Sequence, residues 1–250
     1  MSVPIIEVAG LSLVRSGGIE AICGADLTIA PGERVGLVGP NGAGKTTLML
    51  AITGVLPPTD GSILIDGEQQ VPGSFNPKIG FVFQQAEDQL FSPTVNDDVA
   101  FGPRNLGLTG AALDKAVENA LDRVGIAELA ERAVHHLSGG EKRLACLAGV
   151  LAMAPRVLLL DEPSSALDIR NRRRLIQLLR GMDQAMLVAS HDLEFILELC
   201  SRVVLIDGGR VIADGPARHV LQNRSLMERH GQEVPHSLVP HKGLGHDHHS

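Results

Sequence analysis

Apolar residues recur along this chain in two rhythms, and the switch between them divides it into parts. From Ile5 to Val14 and from Ile22 to Ile29 they alternate or cluster between glycines, which predicts two short strands. Pro31-Gly32-Glu33 turns the chain into a compact apolar run, Arg34 to Val38. A glycine-rich stretch then leads into Leu48 to Ile52, which reads as a helix ended by Gly54 and the run Pro57 to Gly61. Ser62 to Ile65 followed by Asp66-Gly67 predicts a strand and a hairpin turn, and Ile79 to Phe83 a buried strand that stops at Gln84.

The middle third follows the helical rhythm. Val95 to Leu106, Leu113 to Val124 and Glu141 to Ala152 carry it, with Thr109 placed to cap the second helix. Val157 to Leu160 then restores a wholly apolar strand, the kind found in a sheet covered on both faces. A helix from Arg170 to Arg180, a strand from Ala185 to Ala189, a helix from Leu193 to Leu199 and strands at Val203 to Ile206 and Arg210 to Ala213 complete the pattern. The fold class is therefore α/β, its core interrupted by a helical insertion at about residues 84–155. After about Asn223 the chain is polar and lacks apolar periodicity. It holds six of the ten histidines: His230, His236, His241, His246, His248 and His249. Residues 223–250 are expected to form a flexible tail.

Composition narrows the classes of function. The 250 residues suffice for a sizeable core, and 44% hydrophobic with 20% charged residues is ordinary for a globular domain. A net charge of −7, six Phe and neither Tyr nor Trp argue against a nucleic-acid partner, since neither a basic face nor stacking platforms are evident. Cys23, Cys146 and Cys200 form no paired framework, and the last two sit in apolar helical patterns where packing is the expected role. No apolar run approaches the roughly 18 residues of a membrane span, so the chain is not expected to cross a bilayer by itself.

The strongest chemistry lies in Gly39-Pro40-Asn41-Gly42-Ala43-Gly44-Lys45-Thr46-Thr47. Strand, G-x-x-x-x-G-K-T and helix is the layout of a phosphate-binding P-loop. Glycines let the backbone approach phosphate oxygens, and the amides and dipole of the following helix attract the anion. Lys45 can reach the β and γ phosphates and Thr46 can ligate Mg²⁺, so a nucleoside triphosphate with Mg²⁺ is expected, and kinase, GTPase and ATPase all remain open on this loop alone. Asp161 and Glu162 follow the apolar strand from Val157, where Asp161 suits Mg²⁺ and Glu162 can polarise an attacking water. Ser138-Gly139-Gly140-Glu141 opens a helix with a hydroxyl and small residues, a second phosphate-cradle pattern that a simple helix cap would also explain.

Ser-Gly-Gly-Glu between a P-loop and an Asp-Glu strand end resembles the signature motif of the ATP-binding cassette family. The resemblance covers about Ile5 to Gln222, which gives an ATP-binding domain at 1–222 with a helical subdomain at about 84–155. It implies a P-loop NTPase core, a RecA-like sheet with an antiparallel β subdomain. It further implies that Gln84 senses Mg²⁺ and water, that Asp168 belongs to the D-loop, and that His191 contacts the γ phosphate. The family's signature loop closes on ATP held by another cassette. Ser138, Gly139 and Gly140 would then act in trans, in a homodimer or a heterodimer with a second cassette ATPase. One departure stands out. Relatives often carry tyrosines in the stretch matching Leu11 to Arg15 and stack adenine there, whereas Arg15 occupies that place here, either as a stacking guanidinium or as a surface arginine.

Gln84 to Val95, followed by Asp98 to Leu106, resembles the energy-coupling-factor subgroup, which includes cobalt, nickel and vitamin importer ATPases. That implies an integral membrane transport subunit as partner and a peripheral place on the cytoplasmic face of the membrane. Phe91 and Phe101 are candidate contacts, or core residues of the helical insertion. Imidazoles suit Co²⁺ and Ni²⁺, so His246, His248 and His249 form a candidate metal-binding tail and favour cobalt or nickel as cargo. A vitamin importer and a cluster-assembly ATPase are the alternatives. The short interval from Gln84 to Ser138 leaves no room for the long coiled coils of DNA-repair cassettes.

Overall fold

A computed structural model describes residues 3–15, 17–85, 89–165 and 167–239. Strands β1 (Ile6–Arg15), β2 (Ile19–Ile29), β4 (Asp60–Ile65) and β5 (Glu68–Gln69) form an antiparallel sheet in the order β2-β1-β4-β5. The second sheet has the order β10-β9-β3-β8-β7-β6, from β3 (Arg34–Val38), β6 (Ile79–Val82), β7 (Val157–Asp161), β8 (Ala185–Ala189), β9 (Arg202–Asp207) and β10 (Arg210–Pro216). Every neighbouring pair in it is parallel except β9 with β10.

The apolar strands divide their side chains between two core layers. Val157 and Leu159 of β7 join a cluster with α1 (Lys45–Ile52) and the antiparallel sheet, while Leu158 and Leu160 join the helical layer on the other face. Met186 and Val188 of β8 likewise oppose Ala185 and Leu187. A sheet covered on both faces needs apolar residues at every position, and this is why these strands read as unbroken runs.

The insertion folds as three helices, α2 (Val95–Asn105), α3 (Gly110–Val124) and α4 (Gly139–Leu151). Their starts and stops are local. Thr94 accepts a hydrogen bond from the Asp97 amide, and Gly125 closes α3 with φ 69°. Thr109 stands at the cap position expected of it, but its side chain accepts no capping bond. Cys146 and Cys200 are buried in the helical-layer core, and burial pushes both thiols up to about 12.

Helices α5 (Ile169–Arg180), α6 (Leu193–Leu199), α7 (Ala217–Leu221) and α8 (Arg224–Arg229) complete the fold. The expectation of a flexible tail from residue 223 is corrected here. Asn223 caps α8 through the Leu226 amide, and Met227 is fully buried in the main core. His230 Nδ1 lies 2.8 Å from Asp207 Oδ2, and Ser237 gives two hydrogen bonds to the Glu194 carboxylate. Met227, the partly buried Leu226 and Leu238 and a few polar anchors hold this segment, too few and too scattered apolar positions to register as a periodic pattern. His241, His246, His248 and His249 lie outside the described residues.

Candidate nucleotide-binding site

Strands far apart in sequence end side by side at the carboxyl edge of the parallel sheet, the edge where open α/β sheets bind ligands. From β3 comes the loop Gly39–Gly44, from β6 Gln84, from β7 Asp161 and Glu162, and from β8 Ser190 and His191. A cleft of about 300 Å³ results, lined by Asn41 to Thr47, Gln84, Asp161, Glu162 and His191 together with Arg15 and Ile19 to Ala21.

The glycine loop is fixed by close backbone approach. Gly39 has φ 152°, and a Cβ there would stand 2.0 Å from the Ile206 carbonyl oxygen. Gly44 has φ 107° and would meet the Ala21 carbonyl oxygen at 2.7 Å. Lys45, 8% exposed, closes the loop by donating to the carbonyls of Gly39 (2.7 Å) and Pro40 (3.0 Å). Burial pulls its ammonium pKa down, while Glu162 and Asp161 pull the other way.

The opposite wall is acidic. Thr46 Oγ1 donates to Asp161 Oδ2 at 2.7 Å, so a hydroxyl and a carboxylate converge, oxygen donors of the kind a hard cation accepts. Glu162 carries φ 49°, a strained backbone for a side chain of its size, and it is buried. Its Oε2 accepts from Ser190 Oγ and the His191 amide, each at 3.2 Å. Its buried Oε1 has no hydrogen-bond partner, although His191 Nε2 stands 3.3 Å away at ion-pair distance. A buried carboxylate oxygen without a donor is costly, and a proton-bearing ligand would satisfy it.

Of the residues expected at the nucleotide, none of Ser138, Gly139, Gly140, Glu141 or Asp168 lines this cleft. Ser138 and Glu141 instead form a reciprocal capping box at the start of α4. Hydrogen bonding from Ser138, aided by Arg132, holds the Glu141 carboxyl below its usual range. The loop adjoins Asp168, which caps α5 through the Asn171 amide and also accepts from the Asn171 side chain. A Cβ on Gly140 would touch that same Asn171, whereas one on Gly139 would meet nothing.

Sequence reasoning missed Arg143. It is 7% exposed on α4 and donates to the carbonyls of Phe83 (2.9 Å) and Gln84 (2.8 Å), so α4 holds the segment that follows β6. Burial lowers its pKa. The available signal was a cation in phase with Leu147 and Val150 on an otherwise apolar helix face. Next to it, an apolar groove of about 450 Å³ is lined by Val55, Phe75, Phe81, Phe83, Val150 and Met153 among others. Phe75 is 66% exposed there. Phe91 and Phe101 pack edge to face at 4.7 Å and are both exposed, so the reading of them as core falls.

Comparison with known proteins agrees with this geometry. Residues 22–165 match the family model described as ABC transporter. A protein of Synechocystis described as a putative ABC transporter ATP-binding protein is 47% identical over 94% of this chain and 83% of its own length. The cobalt import ATP-binding protein CbiO of Rhodobacter capsulatus is 40% identical over 93% of this chain and 86% of its own. A solved cassette from Clostridium perfringens, part of the ABC transporter complex cbiONQ, superposes with TM-score 0.79 at 34% identity, covering 90% of this chain and 94% of that one.

Proposed function

The chain belongs to the ABC transporter family as an ATP-binding ATPase, and we propose that it powers an importer of the energy-coupling-factor type. The observation that carries this reading is a division. Groups for holding and hydrolysing a triphosphate share one cleft, while the Ser138 loop stands outside it. One chain supplies one half of each of two sites, so two cassettes must face head to tail.

The amides at the start of α1 and the Lys45 ammonium bind the β and γ phosphates. Thr46 and Asp161, with Gln84 on the same wall, would hold Mg²⁺, and their oxygen donors fit it. Bound there, that ion would supply positive charge to the phosphate oxygens. Glu162 Oε1 takes a proton from the attacking water as the water oxygen bonds to the γ phosphorus and ADP leaves. Ser190 and the His191 amide orient the carboxylate through Oε2, and the His191 side chain is proposed to contact the γ phosphate. Ser138, Gly139 and Gly140 of the second cassette close on the same phosphates, hydrolysis removes that bridge, and the pair reopens.

The groove beside Phe83 and the exposed Phe91–Phe101 pair are proposed to receive the integral membrane subunit on the cytoplasmic face. Exposed apolar patches rimmed by polar residues mark such contacts, and among the described residues no helix is long and apolar enough to cross a membrane. The cargo is proposed to be cobalt or nickel, on the likeness to the Rhodobacter capsulatus protein and the histidines past residue 240. Co-purification with an integral membrane protein, and ATP-dependent cobalt uptake in a reconstituted complex, are the expected outcomes. Purification with no membrane partner would overturn the transport reading. Nickel titration of the chain with and without residues 241–250 tests the tail separately, and equal binding would remove it from the argument.

A further inference from the structure

The Arg15 side chain lines the cleft and is tied to the start of α1. Its Nη2 donates to Thr47 Oγ1 in the first turn of α1. Lys45 enters that same turn from the glycine loop, so two cations flank the helix start where anions gather. The rest of the cleft beyond Arg15 is Ile19, Glu20 and Ala21, with Ile19 66% exposed.

Among the described residues no aromatic ring other than His191 lines the cleft. The chain has six Phe and neither Tyr nor Trp. Phe195 is fully buried in the core, Phe75, Phe81 and Phe83 line the apolar groove, and Phe91 pairs with Phe101. Among the residues lining the cleft, the one ring is His191, held beside Glu162 at the catalytic end. Stacking on a base is worth on the order of 5- to 100-fold in affinity, and among the described residues no Phe, Tyr or Trp lines the cleft to supply it.

We propose that Arg15 is a second triphosphate-binding cation, and that the site reads the phosphate chain and discriminates little between purine bases. The proposal rests on the nucleotide-binding reading of the cleft and names its specificity. A guanidinium beside phosphate oxygens forms charge-assisted, often bidentate hydrogen bonds that are indifferent to the base. Ile19 and the Arg15 stem offer only aliphatic contact to whichever base is attached.

Isothermal titration of the purified chain with ATP, GTP and inorganic tripolyphosphate, each with Mg²⁺, tests this. ATP and GTP should bind within about threefold of each other, and Arg15→Ala should weaken all three ligands alike, by about tenfold. Arg15→Lys should recover part of that loss by restoring the charge. A wild-type preference for ATP over GTP above about tenfold that disappears in Arg15→Ala would show a guanidinium stacked on adenine and overturn the proposal. Unchanged affinities in Arg15→Ala would do the same by leaving a surface arginine. Lys45→Ala separates the two levels of inference. If it abolishes binding while Arg15→Ala changes nothing, the cleft still binds nucleotide and only the Arg15 role falls. If the wild type binds none of the three, both fall.

Discussion

Two loops of this chain look alike in sequence: small residues and a hydroxyl before a helix, at Gly39 to Thr46 and at Ser138 to Glu141. Their surroundings differ in every respect that matters. Around the first, backbone carbonyls of Ala21 and Ile206 crowd the glycines, and Asp161, Glu162, Gln84 and His191 converge on one cleft. Around the second there is a capping box, and Gly139 faces open space with no positive φ to require a glycine. The fold demands Gly39. It makes no demand on Gly139, which fits the proposed role of that loop in a second cassette's site.

Glu162→Gln is the sharpest test on the cleft side. It should retain ATP binding, lower turnover by at least about a hundredfold, and accumulate a closed dimer on gel filtration. Near-normal phosphate release would remove Glu162 from the role of base. Separating the loops comes next. Lys45→Ala should weaken ATP affinity by about 10- to 100-fold, whereas Gly139→Asp should leave affinity intact and abolish turnover by placing an anion on the facing phosphates. Where the chain pairs with itself, mixing these two inactive variants should restore part of the activity, because one composite site then holds both intact loops. Loss of ATP affinity in Gly139→Asp would break the comparison, since the second loop would then act within its own chain.

Smaller effects probe how the halves are joined. Arg143→Met should cost about 1–3 kcal/mol in chemical denaturation by leaving the Phe83 and Gln84 carbonyls unpaired. It should also lower turnover beyond what the lost stability explains. Unaltered turnover at matched folded fraction would make the arginine purely structural. The smallest effect belongs to Glu141. Its depressed pKa means the capping box contributes stability above the unfolded carboxyl pKa and loses it as pH falls through the lower, folded value. Glu141→Gln should therefore flatten the stability profile in that acidic window by less than about 1 kcal/mol. An unchanged profile would discard the assignment.

Much of the fold was legible because its signals are local. Strand ends at Ala189 and helix ends at Leu199 follow from apolar runs bounded by turn residues, and the P-loop glycines announce their own geometry. The segment from Arg224 to Val239 was not legible. Its anchors are Met227 with the partly buried Leu226 and Leu238, His230 on Asp207 and Ser237 on Glu194, scattered contacts to distant residues that leave no periodic trace. Arg143 was missed, and the partner of Arg15 was not legible, for a related reason. An arginine reads as solvated until its partners are known, and those partners, Phe83, Gln84 and Thr47, lie far away in sequence.

By itself the sequence determined the alternation of strands and helices, the phosphate-binding loop and the inventory of acids, amides and imidazole that can hydrolyse a triphosphate. These follow from side-chain period, glycine conformation and adjacent spacing, all set within a few residues. Only the tertiary structure decided which of those groups share a cleft. The order β10-β9-β3-β8-β7-β6 brings β3 between β8 and β9 and gathers their carboxyl ends, while the insertion carries Ser138 away from them. That pairing is set by burying a twice-covered sheet, an energy spread over the whole core and recorded at no single position.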